Sequence, residues 1–340
     1  MMNHNNFPKM TEEFDRSVRM TLDSLPERKN GQVRRFPAKR VVCAGLAAAL
    51  CIVGTAFAAN AQNWFPLLFP NGGDASLEGY VQTADNARLT DENDSYRLSV
   101  QSVLFDESAS TGVISLHLEN KKQDGVKPFA LVHLLDSYRN KPDMTWTTLS
   151  ACYAAEKGQL NFAVMYGDSD FCSSEFYFDT VRSTDNDYYL EGAFALSNTY
   201  RKEEPLRMEA LDPDETTVRA DGAQTAKSVL AVDLPEFKQM PHLTSENGDV
   251  TLSQIGIRIR NADMHCTVDE VDQLSVQLKD GSEYVILDKD ADIDRTLYTC
   301  GFNSTEDANR IDTMIAVLAR TFDLDNVQSV TINGEVYPLS

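Results

Sequence analysis

The 340 residues contain no Cys-x-x-Cys, Gly-x-Ser-x-Gly or His-Glu-x-x-His, and no glycine-rich phosphate loop or paired cysteine-histidine spacing. These absences remove support for thioredoxin-like redox chemistry, hydrolase catalysis from a nucleophile elbow, zinc-protease chemistry and nucleotide phosphate binding. The five histidines (His4, His117, His133, His242 and His265) are scattered. His117 and His133 fall inside strand-like runs, where a face or core role is the ordinary one. His265 and Cys266 are adjacent, but two ligands fall short of a zinc site. Asp288 to Asp294 (DKDADID) spaces carboxylates like a calcium loop, yet Ile293 stands where an EF-hand needs glycine and Thr299 where it needs glutamate. That stretch reads as a solvated acidic loop. The chain is read as non-enzymatic, with no metal and no cofactor.

Positive charge is also scarce, and its placement is informative. Lys and Arg number 31 against 52 Asp and Glu, a net of −21. Residues 1–40 hold 9 basic and 5 acidic side chains, net +4, which leaves 22 against 47, net −25, for the remainder. The acidic bulk disfavours nucleic acid as a direct partner, and the basic arm suits anionic headgroups.

Between Val41 and Ala59 there is no charge at all. As a helix at about 1.5 Å per residue the run spans roughly 28 Å, near the ~30 Å hydrocarbon core of a bilayer. Arg34, Arg35, Lys39 and Arg40 flank it on one side, and the first basic residue beyond it is Arg88. The positive-inside rule then places the N-terminus in the cytoplasm. Ala56-Phe57-Ala58 has the form of a signal-peptidase site, so a cleaved signal is the competing reading. The late start of the run, at residue 41, favours a retained transmembrane helix. Trp64 and Phe65 follow where an interfacial aromatic belt would sit.

Within the arm, residues 11–25 pattern as a helix capped by Thr11 and stopped by Pro26. At ~100° per residue, Met10, Phe14, Val18, Leu22 and Leu25 share an arc of about 120°. So short a helix is marginal alone in water and needs a surface, either a partner protein or the inner leaflet.

Residues 60–94 read as a Pro-, Gly- and Asn-rich juxtamembrane lead-in. Beyond it, period-two runs such as SYRLSVQSVLF, TGVISLHLEN and YYLEGAFALS alternate with turn residues, the pattern of antiparallel sandwiches. Asp280-Gly281 and Asn333-Gly334 mark tight turns. Residues 304–322 read as a helix with Ser304 as cap and Ile311, Met314, Ile315, Leu318 and Phe322 as its apolar stripe. The fold class is therefore mainly β: an N-terminal amphipathic helix, one transmembrane helix, and two sandwich-like extracytoplasmic domains. These cover residues 75–238 and 239–340, the second with one C-terminal helix. Cys152, Cys172, Cys266 and Cys300 lie in the outer part, where disulfides are permitted. Nearest-neighbour pairing joins Cys152 to Cys172 and Cys266 to Cys300; other pairings, or four free thiols, stay open.

The arm pattern Phe14-Asp15-x-x-Val18-x-x-Thr21-Leu22-x-x-Leu25-Pro26, the basic spacer, the single span and the β-rich outer part resemble one family. It is the membrane-anchored anti-sigma factors of Gram-positive bacteria, of the sigma-M inhibitor type, whose outer domain has no assigned function. The arm differs from the best-known anti-sigma factors in lacking a zinc-bound multi-helix domain. The resemblance implies that Phe14, Val18, Leu22 and Leu25 bind an extracytoplasmic-function sigma factor while the outer domains meet an envelope ligand or protein. A membrane-anchored envelope-binding protein with no sigma-factor partner is the rival expectation.

Overall fold

Apolar residues repeating every second position build the chain beyond the uncharged run from strands. A computed structural model describes residues 64–69, 77–83, 89–133, 150–166, 170–196, 205–218, 224–260, 271–302 and 313–340. The first eleven strands are β1 (Gln82–Thr83), β2 (Thr90–Glu92), β3 (Tyr96–Asp106), β4 (Thr111–Asn120), β5 (Ala130–His133), β6 (Ser150–Tyr153), β7 (Asn161–Tyr166), β8 (Asp170–Phe178), β9 (Asp187–Ala195), β10 (Leu206–Val218) and β11 (Gln224–Asp233). They form one sheet ordered β1-β3-β4-β9-β8-β7-β10-β11, with β2 on β3 and the β5–β6 pair attached to β8.

This sheet rolls onto itself. Leu98, Val100, Ile114 and Leu116 of β3 and β4 share one core with Met208, Ala210, Leu230 and Val232 of β10 and β11. Its two ends meet through side chains: Asp91 on β2 accepts from the Ala231 amide at 2.9 Å, and Asn93 Nδ2 donates to the Val229 carbonyl at 3.3 Å. A register shift between Val100 and Ser102 re-phases β3. Leu98 and Val100 before it and Val103 and Phe105 after it thereby reach the same core. Phe176 and Phe194 lie over glycines: a Cβ on Gly192 would come within 2.5 Å of the Phe176 ring, and one on Gly112 within 2.1 Å of Phe194.

Ten further strands follow: β12 (His242–Thr244), β13 (Val250–Ser253), β14 (Gly256–Arg260), β15 (Gln273–Leu278), β16 (Glu283–Asp288), β17 (Ile293–Asp294), β18 (Thr296–Phe302), β19 (Thr313–Leu318), β20 (Val327–Ile332) and β21 (Glu335–Pro338). They make two five-stranded antiparallel sheets, β12-β13-β14-β19-β18 and β17-β16-β15-β20-β21. Val250, Leu252, Ile257, Ile259, Met314 and Ala316 of the first meet Leu274, Val276, Ile286, Val330 and Ile332 of the second in a shared core. The turns anticipated from sequence form here, with Gly281 at φ +85° and the Asn333-Gly334 pair at +48° and +85°.

A third core joins the halves. Leu104, Val113, Tyr177 and Ala193, on the second face of the β3-β4-β9-β8 region, pack with Met240, Ile255, Leu297 and Val317 and with Phe65, Leu68, Phe69 and Leu77 of the lead-in. Trp64 and Phe65 thus pack into the fold rather than forming an exposed belt.

The anticipated fold class needs correction. Among the described residues there is no α-helix, and none long and apolar enough to cross a membrane. The amphipathic helix at 11–25 and the transmembrane helix at 41–59 lie outside the described residues. The C-terminal helix at 304–322 is overturned from residue 313 onward, where Thr313–Leu318 forms β19 between β14 and β18. All six residues of β19 are buried, Met314, Ala316 and Leu318 in one core and Val317 in another. A strand buried on both faces loses its period of two and imitates a helical stripe.

Replacing Gly192 by Ala should destabilise the protein by about 1–3 kcal/mol through overpacking against Phe176 and Ile114. Ala at Gly79, where a Cβ meets nothing, is the control expected to leave the urea midpoint nearly unchanged.

Candidate functional site

Register puts Glu191 of β9 on the second face of its sheet, opposite Tyr177 of β8 and Ser115 of β4. Its side chain is fully buried. One oxygen, Oε2, accepts from the backbone amides of Leu67 and Leu68 at 2.9 and 3.1 Å. The other, Oε1, accepts from Arg182 at 2.6 Å. The lead-in meets this carboxylate as a single turn, closed by the Phe69 amide donating to the Phe65 carbonyl at 2.8 Å. Pro66 suits the start of such a turn, whose first amides have no partner within it; Glu191 supplies one. Ser102 adds a further tie by donating its hydroxyl to the Trp64 carbonyl at 3.1 Å.

Arg182 is oriented from behind. Its Nε donates to Asp179, whose other oxygen accepts from the amides of Val181 and Arg182 at 2.9 and 3.0 Å and so shapes the turn after β8. The guanidinium lies over the Tyr189 ring, 5.3 Å from its centroid, and that ring stacks on His117 at 4.6 Å. His117 Nε2 is 3.0 Å from Asp187 Oδ1. Burial pushes the Glu191 carboxyl up to about 7, against the opposing pull of Arg182 and the two amides and with the nearby Asp179 charge adding to the rise. The Tyr189 hydroxyl is raised as well, first by burial and then by Asp187.

The seam between the halves carries further buried polar groups. Tyr177, fully buried, places its hydroxyl 2.8 Å from the Leu297 carbonyl and 2.9 Å from Glu175 Oε2. Ser108 Oγ lies 2.9 Å from His242 Nδ1. Asp106 is buried and raised in pKa by that burial, opposed by hydrogen bonds from Ser253 and from the Ser108 and Ala109 amides. Arg258, 9% exposed, donates to Ser110 Oγ at 3.2 Å; burial, then the neighbouring Arg260 charge, brings it down to about 10.

Of the residues singled out from sequence, Phe14, Val18, Leu22, Leu25 and Cys266 lie outside the described residues. Cys152 sits in β6 and Cys300 in β18, both as free thiols, and Cys172 sits in β8. Burial drives both free thiols upward, Cys300 to about 12. In the acidic loop, Asp288 accepts from the Ala291 amide and Asp294 from the amide and hydroxyl of Thr296. Among the described residues no three His, Cys, Asp or Glu side chains converge on a metal position. Glu191 escaped the sequence reading because acidic residues are abundant. Its signal was a lone charge inside the apolar run LEGAFAL.

No known protein family matches the chain, and no curated protein does. Among solved structures it is similar to a conserved domain protein from Bacillus anthracis, at 11% identity and a TM-score of 0.35, over 72% of this chain and 75% of that one. So slight a likeness has no bearing on function.

Replacing Glu191 by Ala removes an anion from beside Arg182 and two amides, and should cost about 3–5 kcal/mol, read as a lowered denaturation midpoint. Iodoacetamide at pH 8, followed by peptide mapping, should leave Cys152 and Cys300 unlabelled until denaturant is added.

Proposed function

We propose that this chain is a single-pass membrane regulator that restrains an extracytoplasmic-function sigma factor through its N-terminal arm and receives envelope signals through its outer β-rich part. The observation that carries this reading is the spacing of Phe14, Val18, Leu22 and Leu25, an apolar stripe on a short segment that ends at Pro26 and has Met20 as its one apolar outlier. The basic flank and the uncharged run 41–59 support a cytoplasmic position for that stripe. The acidic remainder, net −25, supports an outer part that does not bind nucleic acid.

The energetics suit a reversible regulator. Burying these four side chains yields roughly 1.5–3 kcal/mol each in gross terms. Association costs of ~4–15 kcal/mol absorb much of it. The arm is accordingly a moderate binder, releasable when its presentation changes.

Recovery of a sigma factor on the full-length protein should fall at least about tenfold for Leu22→Asp, the effect of losing ~1.4 kcal/mol or more of binding. Equal recovery by wild type and variant would eliminate this interface. Recovery of no protein, with recruitment of the arm to anionic vesicles, would favour the envelope-binding reading.

A further inference from the structure

The β3–β4 turn enters the seam beside β14, and the polar groups that meet there are incompletely matched. Arg258 and Arg260 stand on one face of β14, opposite Ile257 and Ile259, which belong to the core of the second half. Gly256, on the same face as the arginines, leaves no room for a Cβ beside Thr111. Arg258 is 9% exposed, and its Nη1 donates to Ser110 Oγ at 3.2 Å. Its Nε is buried with no hydrogen-bond partner, and so are Thr111 Oγ1 and, across the hairpin register from it, Asp106 Oδ2. Among the described residues neither arginine is paired with a carboxylate. Asp249, whose carbonyl accepts from the Arg260 amide at 2.6 Å, has its carboxylate engaged by Asn247. Beyond residue 40 acids outnumber bases 47 to 22, so an arginine pair without an acid is out of keeping with its surroundings. A guanidinium buried as deeply as Arg258 ordinarily has one.

We propose that Arg258, Arg260, Thr111 and Asp106 form a site for a phosphate group that retains a proton, entered past the exposed Arg260. The unmatched atoms set the chemistry. Arg258 Nε is a donor without an acceptor, and the neighbouring Arg260 charge opposes that of Arg258, so the pair gains from an anion held between them. These donors come from β14 and the Thr111 hydroxyl from the opposing hairpin, so they approach from more than one side. That suits a tetrahedral oxyanion better than a planar carboxylate. Asp106 is the acid of this cluster. Its Oδ1 accepts from the Ser108 amide at 2.9 Å, while its Oδ2 lacks a donor. A phosphate oxygen that keeps its proton supplies one, as inorganic phosphate and phosphate monoesters do at about pH 6. Sulfate and phosphodiesters, fully ionised at that pH, do not.

The turn that carries Thr111 also ties the seam together. The Leu196 amide donates to the Ser110 carbonyl at 2.9 Å, and Ser108 Oγ meets His242 Nδ1 from the second half. A phosphate accepting from both this turn and β14 adds bonds across the seam, so occupancy tightens the joint between the halves. The site deepens the regulatory reading by naming a ligand class for the outer part, and it rests on that reading only for its use in signalling.

The test is thermal unfolding of the full-length chain in detergent micelles at about pH 6, with inorganic phosphate titrated against sulfate at equal ionic strength. Sulfate controls for the general stabilisation that both anions give. Phosphate should raise the midpoint saturably and beyond sulfate. Arg258→Met and Arg260→Met should each weaken the apparent affinity at least about tenfold, the loss of a charge-assisted hydrogen bond. Equal midpoints in the two salts overturn the proposal, as does a phosphate effect that survives in either folded variant. If Arg258→Met does not fold, the exposed Arg260 decides alone. Glycerol 3-phosphate then separates two sources of the same chemistry. A stronger effect than that of inorganic phosphate supports a monoester carried on a larger molecule, such as a lipid headgroup, and a weaker one supports the free anion. Sigma-factor capture plays no part in this measurement, so failure of the site and failure of the proposed partner are separable.

Discussion

The β3-β4-β9-β8 region has little face left for water, and the rest of the fold answers to that constraint. On one side its Leu, Ile and Phe side chains are covered because the same sheet continues through β7, β10 and β11 and rolls back over them. On the other side Leu104, Val113, Tyr177 and Ala193 are covered by two elements distant in sequence, the lead-in and the β14-β19-β18 sheet. Each large side chain kept from water contributes roughly 1.5–3 kcal/mol, so neither cover is dispensable. Residues 57–340 accordingly behave as one compact unit.

Polar groups on such a doubly covered surface must be satisfied locally, and they lie at the seams. Tyr177 reaches a carbonyl of β18, Arg258 reaches Ser110, and Glu191 gathers the lead-in amides and Arg182. Apolar packing alone would tolerate small slides between layers. These directional contacts fix which residues meet, the role best supported for buried polar groups. Glu191 differs from the others because its protonation changes near neutrality.

How much of this could be read in advance depended on the local signal. Runs such as TGVISLHLEN and the Asp280-Gly281 and Asn333-Gly334 turns carry their structure in period and turn chemistry, and they form the strands and turns anticipated. β19 reads as a helix because MIAVL, after Thr313, is apolar at every position, so its period vanishes, and only its neighbours β14 and β18 decide for a strand. The lead-in carries little core signal because Pro66, Pro70, Asn71, Gly72 and Gly73 outweigh the short apolar stretch they enclose. What rescues Phe65 and Leu68 is a sheet face assembled from β3, β4, β8 and β9, all later in the chain. Glu191 was invisible for the same reason: its partners come from the far-off lead-in and from the Asp179–Arg182 turn.

β19 also has a bearing on how the chain behaves before it is folded. Thr313 to Ala319 offers seven consecutive residues without charge or proline, rich in β-formers, and the native state hides them on both faces. A nascent or heat-opened chain would present this stretch as a sticky template for its own copies. Asp312 and Arg320, one at each end, are the charges placed to discourage that pairing. Production of residues 239–340 in isolation, without the β3-β4-β9-β8 face and the lead-in that share a core with Val317, would therefore invite inclusion bodies.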